Sequence, residues 1–341
     1  MNKCRVLALV HESFVPPDSI AGMSERDVAP FKTEYDVVAA LRRVGYDTQV
    51  LGVGSELSTV GKALAEFKPQ IVFNLLEEFG GQGVFVPYLL GYLELMRQSY
   101  TGCNPAGMML TYSKPLSKKL LKFHRVRVPD FHVFHRERQS KRPARLAFPL
   151  IVKSTTEHGS VGITQASIVR DDEKLAEQVA RVHDELQTDA IAEQYIEGRE
   201  FYVGVIGNHR LRTLPIWELR FDNLAEGAPR IATQKVKWDR SYQERSGIKT
   251  KEAVKLENGL ADQIRRICKR TYRILGQTGY ARVDLRLSPE GNVYVLESNP
   301  NPQLAHGEDF ADSAEAAGIP YQKLLQRIVN LGLGATGVWQ G

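Results

Sequence analysis

The 341-residue chain reads as an α/β protein of three lobes, the first built on a parallel sheet. Three observations predict this. Short apolar runs alternate with helical patterns across residues 1–104, a mixed set of strands and helices follows to residue 195, and an amphipathic helix precedes an alternating hairpin in residues 196–341. In the first lobe, strands are expected at 5–10, 48–53 and 71–74, separated by helices at 35–44 and 57–67. Such alternation needs crossover helices that cover both faces of a parallel sheet. After Asn74 the segment EEFGGQG carries three glycines, and a helix is expected at 87–95. The loop lacks G-x-G-x-x-G and follows the third strand, so a dinucleotide cofactor is not expected. A loop at the carboxyl end of a parallel strand is nevertheless a sensible seat for a substrate. In the second lobe the pattern predicts a helix at 113–124 that stops before Pro129, strands around Val133, Ile151, Ile163 and Ala192, and a helix at 172–186. In the third, a helix at 260–275 places Ile264, Ile267, Tyr272 and Leu275 at helical intervals. No internal repeat or low-complexity tract interrupts these lobes.

The stretch GYARVDLRLSPEGNVYVLESN, ending at Asn299, carries the chemistry. Runs at 280–287 and 292–297 alternate around a turn of Ser288, Pro289, Glu290 and Gly291. With Leu287 opposite Asn292, Arg282 lies across from Glu297, Asp284 is a diagonal neighbour of Glu297, and Asn299 continues that face. Val283, Leu285, Tyr294 and Leu296 fall on the other, apolar face. Two carboxylates and an amide oxygen are hard ligands of the kind Mg²⁺ takes when it also holds phosphates. The plain alternative is a solvated strand face with Arg282 pairing Glu297. Pro300 and Pro302 end the strand just past Glu297 and Asn299, as a ligand pair leading into a site loop requires.

On the pattern R-x-D … E-x-N formed by Arg282, Asp284, Glu297 and Asn299, the chain resembles the ATP-grasp superfamily, of the D-alanine:D-alanine ligase type. The resemblance implies one or two Mg²⁺ ions, replaceable by Mn²⁺, held by Asp284, Glu297 and Asn299 against the phosphates of ATP, with Arg282 facing the transferred phosphoryl group. It extends to FPLIVKSTTEHGSVGI, where Lys153 ends a strand before a phosphate-covering loop containing Gly159 and Ser160, and to AIAEQYIEGREFYVGVIG, where Glu193 would sit near the adenine edge and Glu200 at the ribose. Lys114 in SKPLSKK and Lys237 in QKVKWD match nucleotide-contacting lysines of the family. Taken alone, these lysines and acids also read as exposed charges, the reading kept for Lys118 and Lys119. His158 and His306 fall in site loops.

The resemblance implies a ligase that phosphorylates a carboxylate and lets an amine attack the acylphosphate, giving an amide or peptide bond. The acceptor side departs from the D-alanine enzymes. In NPNPQLAHGEDFADSA, Gln303 replaces a turn glycine and Glu308 falls near a serine that grips the second substrate's carboxylate. A carboxylate repels a carboxylate, so Glu308 and Asp309 suit an ammonium or a hydroxyl. Gly159 stands where the family has an active-site serine, Ser160 follows it, and Trp238 stands in place of a tyrosine. Glu25, in SERDV, matches the amino-group anchor of the first substrate, after a long insertion at residues 11–23. The expectation is therefore a carboxylate–amine ligase that does not make D-alanyl-D-alanine; a small-molecule kinase on the same scaffold is the alternative.

Charge and composition agree with that class. Hydrophobic residues make up 43% and charged residues 25% of the chain, which are globular values. The net charge of +5 comes without a dense basic block, so a small-molecule phosphate site is expected rather than a nucleic-acid partner. Three widely spaced cysteines, Cys4, Cys103 and Cys268, suggest reduced thiols and a cytoplasmic setting. With no signal peptide and no apolar span of about twenty residues, neither secretion nor a membrane is expected. The apolar stretch 84–95 reads equally as a buried helix or as the contact of a homodimer.

Overall fold

The computed structural model describes residues 3–138, 140–223 and 229–334; the side chains of Trp238 and Arg240 also lie outside the described residues. In the first lobe, β1 (Arg5–His11), α1 (Glu25–Val28), α2 (Lys32–Val44), β2 (Asp47–Val53), α3 (Leu57–Phe67), β3 (Ile71–Asn74) and α4 (Val86–Leu95) follow the alternation of the sequence. The strands form a parallel sheet in the order β2-β1-β3. Five consecutive buried residues in β1, RVLALVH, reflect a strand covered on both faces. Gly45 ends α2 in the left-handed region at φ 100°, where a side chain is strained.

The middle of the chain opens with α5 (Pro105–Tyr112) and α6 (Lys114–Phe123), then β4 (Phe131–Phe134), β5 (Leu150–Ser154), β6 (Ile168–Val169), α7 (Asp172–Glu185) and β7 (Ala190–Gln194). Its antiparallel sheet runs β4-β7-β5-β6. Ile163, expected in a strand, lies instead in the glycine loop, and the short β6 forms five residues later. Three left-handed residues, Gly159, Ser160 and Gly162, break the extended backbone before Ile163.

The last part comprises β8 (Arg199–Ile206), β9 (Arg212–Phe221), α8 (Gln234–Trp238), α9 (Arg240–Arg245), β10 (Ile248–Glu252), α10 (Leu260–Ile274), β11 (Tyr280–Leu287), β12 (Val293–Pro300), α11 (Asp309–Ala316) and α12 (Tyr321–Gly334). Its sheet runs β10-β9-β8-β11-β12 and is antiparallel throughout. α10 lays Ile264, Cys268, Tyr272 and Leu275 on the apolar face of that sheet. The closing helices return to the first lobe, where Leu324, Leu325, Ile328 and Val329 of α12 share one core with Val37, Ala40 and Leu41 of α2. The first and last parts of the chain thus meet in one hydrophobic core.

The hairpin register differs from the expected one. Asp284 lies directly opposite Glu297 and Arg282 opposite Asn299, while beyond an irregularity Leu285 faces Val295 and Leu287 faces Val293. The turn closes with the Ser288 N–H donating to the Asn292 carbonyl, and Gly291 adopts φ 81°, so Asn292 belongs to the turn and pairing starts one residue later. Leu296 is then an extra residue in β12, a β-bulge that advances the register once more. The face assignment of β12 changes with it: Val293 and Val295, not Tyr294 and Leu296, join Val283 and Leu285 in the core.

Candidate active site

The cleft between β5, β7 and the glycine loop on one side and β8, β11 and β12 on the other collects most of the residues singled out from the sequence. At its floor, Arg282 donates to both oxygens of Asp284, Nε at 2.7 Å and Nη2 at 2.9 Å. Asn299 Nδ2 donates to Asp284 Oδ2 at 3.0 Å and to Glu297 Oε1 at 3.4 Å. The Arg282 guanidinium lies 4.7 Å from the Tyr202 ring centroid, which fixes its plane. Burial lifts the Asp284 carboxyl against the pull of Arg282, and the Glu297 charge lifts it further. Burial also pushes Glu297 up, but Lys114, Lys237 and Lys153 outweigh it and hold that carboxyl well below the usual range. One carboxylate is held charged by lysines while its neighbour resists charging, which is the imbalance a divalent cation would relieve. Two carboxylates and one amide oxygen fit Mg²⁺, an ion that completes its shell with water and phosphate oxygens.

Above this floor, Glu193 of β7 is 1% exposed and sits between two lysines, Lys153 Nζ at 2.9 Å and Lys118 Nζ at 3.3 Å. Lys118, read as a surface charge, is in fact fully buried. Its Nζ donates to the Leu296 carbonyl at 2.6 Å, taking up the backbone oxygen at the bulge. Burial pushes the Lys118 ammonium down to about 8, against the pull of Glu193. Burial also depresses Lys153, but Glu193 and Glu297 more than offset it and leave that ammonium raised. Glu193 Oε1 lies 3.3 Å from the Lys118 ammonium without an aligned hydrogen bond, so this buried acceptor is held by charge. Ile151, Ile231, Ala232 and Leu296 supply apolar lining beside it. A buried acceptor, apolar walls and the lysines around them fit a purine and a polyphosphate.

The other expected residues divide into those the fold brings here and those it does not. Lys114, the first residue of α6 behind the Ser113 cap, donates to the Glu157 carbonyl and lies 4.0 Å from Glu297. Lys237, Ser160 and Glu200 also line the cleft. Glu200 is already engaged by Arg286 and by the Tyr202 hydroxyl, the latter at 2.9 Å. Arg286 goes on to the carbonyls of Ile196 and Arg230, pinning the chain at the cleft wall. Gln303 and Glu308 lie outside the lining: Gln303 donates to Thr33 Oγ1 at 3.1 Å, and Glu308 is exposed at the start of α11. Asp309, next to it, adds negative charge near Arg282. Glu25 is exposed on α1 and outside the cleft lining. The Trp238 side chain falls outside the described residues. Two residues missed from the sequence were signalled by spacing, Lys118 four positions after Lys114 on one helix face and Arg286 two positions after Asp284 on one strand face.

The cleft encloses about 80 Å³, against the roughly 300–1,000 Å³ of pockets for ligands of nucleotide size. The cleft as it stands is smaller than a nucleotide. Two larger grooves, of about 910 and 590 Å³, lie beside β4 and contain none of these residues.

The D-ala D-ala ligase C-terminus family matches residues 119–330, well over half of the chain. The chain belongs to this family of ATP-grasp ligases. An uncharacterized protein of Sinorhizobium fredii, y4sG, is 33% identical over 86% of this chain and 85% of its own. The D-alanine--D-alanine ligase of Bordetella petrii is 28% identical over 90% and 88%. The structure of the D-alanine--D-alanine ligase from Bacillus anthracis complexed with ATP matches with a TM-score of 0.75 at 22% identity, covering 97% of each chain. The fold of this family member is ATP-grasp, α/β, and its class is that of ATP-dependent ligases forming C–N bonds. Among its described residues no helix is long and apolar enough to cross a membrane.

One buried acid of this ligase lies away from the nucleotide cleft. Glu34, in the first turn of α2 and 8% exposed, is pushed up to about 7 by burial, with Glu77 adding to the rise. A carboxyl raised in the folded state gives stability that is complete below its ordinary value of 4.5 and is lost as pH rises through about 7. Glu34→Gln should therefore match the parent near pH 4.5 and exceed it at pH 8, by on the order of 1–3 kcal/mol in urea unfolding. Equal stabilities at both pH values would count against the burial of its charge.

Proposed function

We propose that this protein phosphorylates a carboxylate with ATP and joins the acylphosphate to an amine other than D-alanine. The reading is carried by one juxtaposition: a complete set of cations and hard oxygen ligands beside an acceptor loop rich in acids. Lys114, Lys153 and Lys237 would hold the phosphates, Glu193 the adenine amino group, Glu200 the ribose edge, and Ser160 the phosphoryl oxygens under the glycine loop. Asp284, Glu297 and Asn299 would hold Mg²⁺, which when bound neutralises charge on the transferred phosphoryl group. In the first step a carboxylate oxygen of the substrate bonds to the γ-phosphorus as the bond to ADP breaks, with Arg282 facing the equatorial oxygens. In the second the amine nitrogen bonds to the acyl carbon, phosphate leaves, and the amine gives up a proton.

The acceptor preference follows from charge. Glu308, at the end of the loop after β12, and Asp309, the first residue of α11, would repel an acceptor carboxylate and attract an ammonium or a hydroxyl. Gln303, which replaces the glycine of the D-alanine enzymes, is turned away to Thr33. The test is ADP release across a panel of acids and amines, with mass spectrometry of the products. A product equal to acid plus amine minus water, from an acceptor without a carboxylate at the reacting end, supports the reading. D-alanyl-D-alanine as the preferred product would overturn the acceptor assignment, and a stable phosphorylated acid or alcohol would move the protein to the kinases.

A further inference from the structure

The bulge at Leu296 is held from outside its own sheet. In a regular strand, neighbouring residues send their backbone groups to opposite edges. In β12 two neighbours are instead taken by one stretch of chain, α6 and the residues that follow it. The Val295 N–H donates to the Arg127 carbonyl at 2.9 Å, and the Leu296 carbonyl accepts from Lys118 Nζ at 2.6 Å. Arg127 also donates from Nη1 to Asn292 Oδ1 at 2.8 Å and lays its guanidinium 5.7 Å from the Tyr294 ring centroid, so the run leading into the bulge is fixed as well.

Lys118 is not needed to neutralise Glu193. Lys153 already pairs that carboxylate at 2.9 Å, closer than Lys118 at 3.3 Å. The aligned hydrogen bond of the Lys118 ammonium goes to the Leu296 carbonyl. Without that donor the carbonyl loses a partner, and the strand can recover one by taking Leu296 into the ladder with β11. Unbroken alternation then turns Glu297 and Asn299 to the face of Val293 and Val295, away from Asp284.

We propose that Lys118 is a positioning residue: by holding the Leu296 carbonyl it keeps the bulge that sets Glu297 and Asn299 beside Asp284. The inference rests on the metal role proposed above for those three residues, and deepens it. Groups that hold metal ligands in place act in this way, and losing one weakens metal affinity by about 10–100-fold. Charge alone predicts the opposite sign. Lys118 and Glu297 attract each other, so removing the ammonium from an unmoved strand would leave the site more negative and bind a divalent cation more tightly.

The experiment measures the Mn²⁺ affinity of the full chain with ADP saturating, from the electron paramagnetic resonance of free Mn²⁺. Each variant is titrated well below its own melting temperature, so a loss of general stability does not move the reading. Lys118→Met keeps the length of the side chain, removes the donor and leaves Glu193 paired with Lys153. Lys119→Met removes an exposed lysine from the next position of α6 and serves as the control for charge. The expected result is Mn²⁺ affinity about 10–100-fold weaker in Lys118→Met and within about threefold of the parent in Lys119→Met. Parental or tighter affinity in Lys118→Met would overturn the proposal, as would an equal loss in Lys119→Met. If Lys118→Met does not fold, the change is made in a Glu193→Gln background, where no carboxylate at that position depends on it, and is read against Glu193→Gln alone by the same outcomes. Asp284→Asn in the same titration separates the two ideas. Weakened Mn²⁺ binding there with none in Lys118→Met sinks the role of Lys118 alone, whereas no change there removes the metal site on which it depends.

Discussion

Asp284→Asn is expected to lower turnover by at least about a thousandfold while ATP affinity changes by less than about tenfold. The substitution keeps the shape of the side chain and removes one of the two carboxylates facing each other across β11 and β12. The lysines around Glu193 and Glu297 are untouched, so the groups proposed to hold the nucleotide remain. Its cost to the fold is contained, because Arg282 keeps an amide oxygen in reach and Asp309 as a neighbouring charge. Steady-state rates, nucleotide binding by calorimetry and a melting curve, taken together, distinguish a chemical from a structural defect. Unchanged turnover would remove Asp284 from the metal set.

Glu193→Leu is expected to have the largest effect on stability, a loss of about 3–5 kcal/mol. Lys118 and Lys153 converge on this one carboxylate from α6 and β5; Lys118 is fully buried and Lys153 is nearly so at the edge of the cleft. Removing the anion leaves two buried cations facing each other, and the strand that carries it lies between β4 and β5 in the central sheet. Adding Lys118→Met to Glu193→Leu should recover part of the loss, because the second change removes one unpaired charge. Urea unfolding of both single variants and the double variant closes the cycle. A loss below about 1 kcal/mol in Glu193→Leu would mean that the trio is solvated and not a buried network.

Much of this architecture was legible in the chain because it rests on local periodicity. The bounds of α3, β3 and β11 coincide with their sequence patterns, α2 and α4 shift by a few residues at most, and the short α1 was not expected. Asp284, Glu297, Asn299 and Arg282 were found together because period two puts ligands of one hairpin on one face. Lys118 escaped notice for the opposite reason: α6 turns its polar side inward, burying Lys114, Ser117 and Lys118 with Leu121. Which side of a helix meets the protein is settled by its neighbours, and here the neighbour is a carboxylate from a strand some seventy residues on in the sequence. Gln303 is similar, since its partner Thr33 belongs to the other end of the chain. Periodicity also cannot announce an interruption of itself, and the expected register of the hairpin fails first at the turn, which takes in Asn292, and again where β12 bulges.

That departure decides what the strand can do. Val293, Val295, Glu297 and Asn299 are all odd-numbered, and a regular strand would turn all four to the same side. Leu296 rotates the distal half, so that two valines meet α10 while the acid lines the cleft and the amide bonds Asp284 beside it. The site is in this sense a property of spacing as well as of chemistry. The same residues in unbroken alternation would still spell every ligand in the right order, yet would aim Glu297 and Asn299 at the oily side of the sheet. Two relatives can therefore agree letter for letter at the ligands and differ in whether they own a metal site at all.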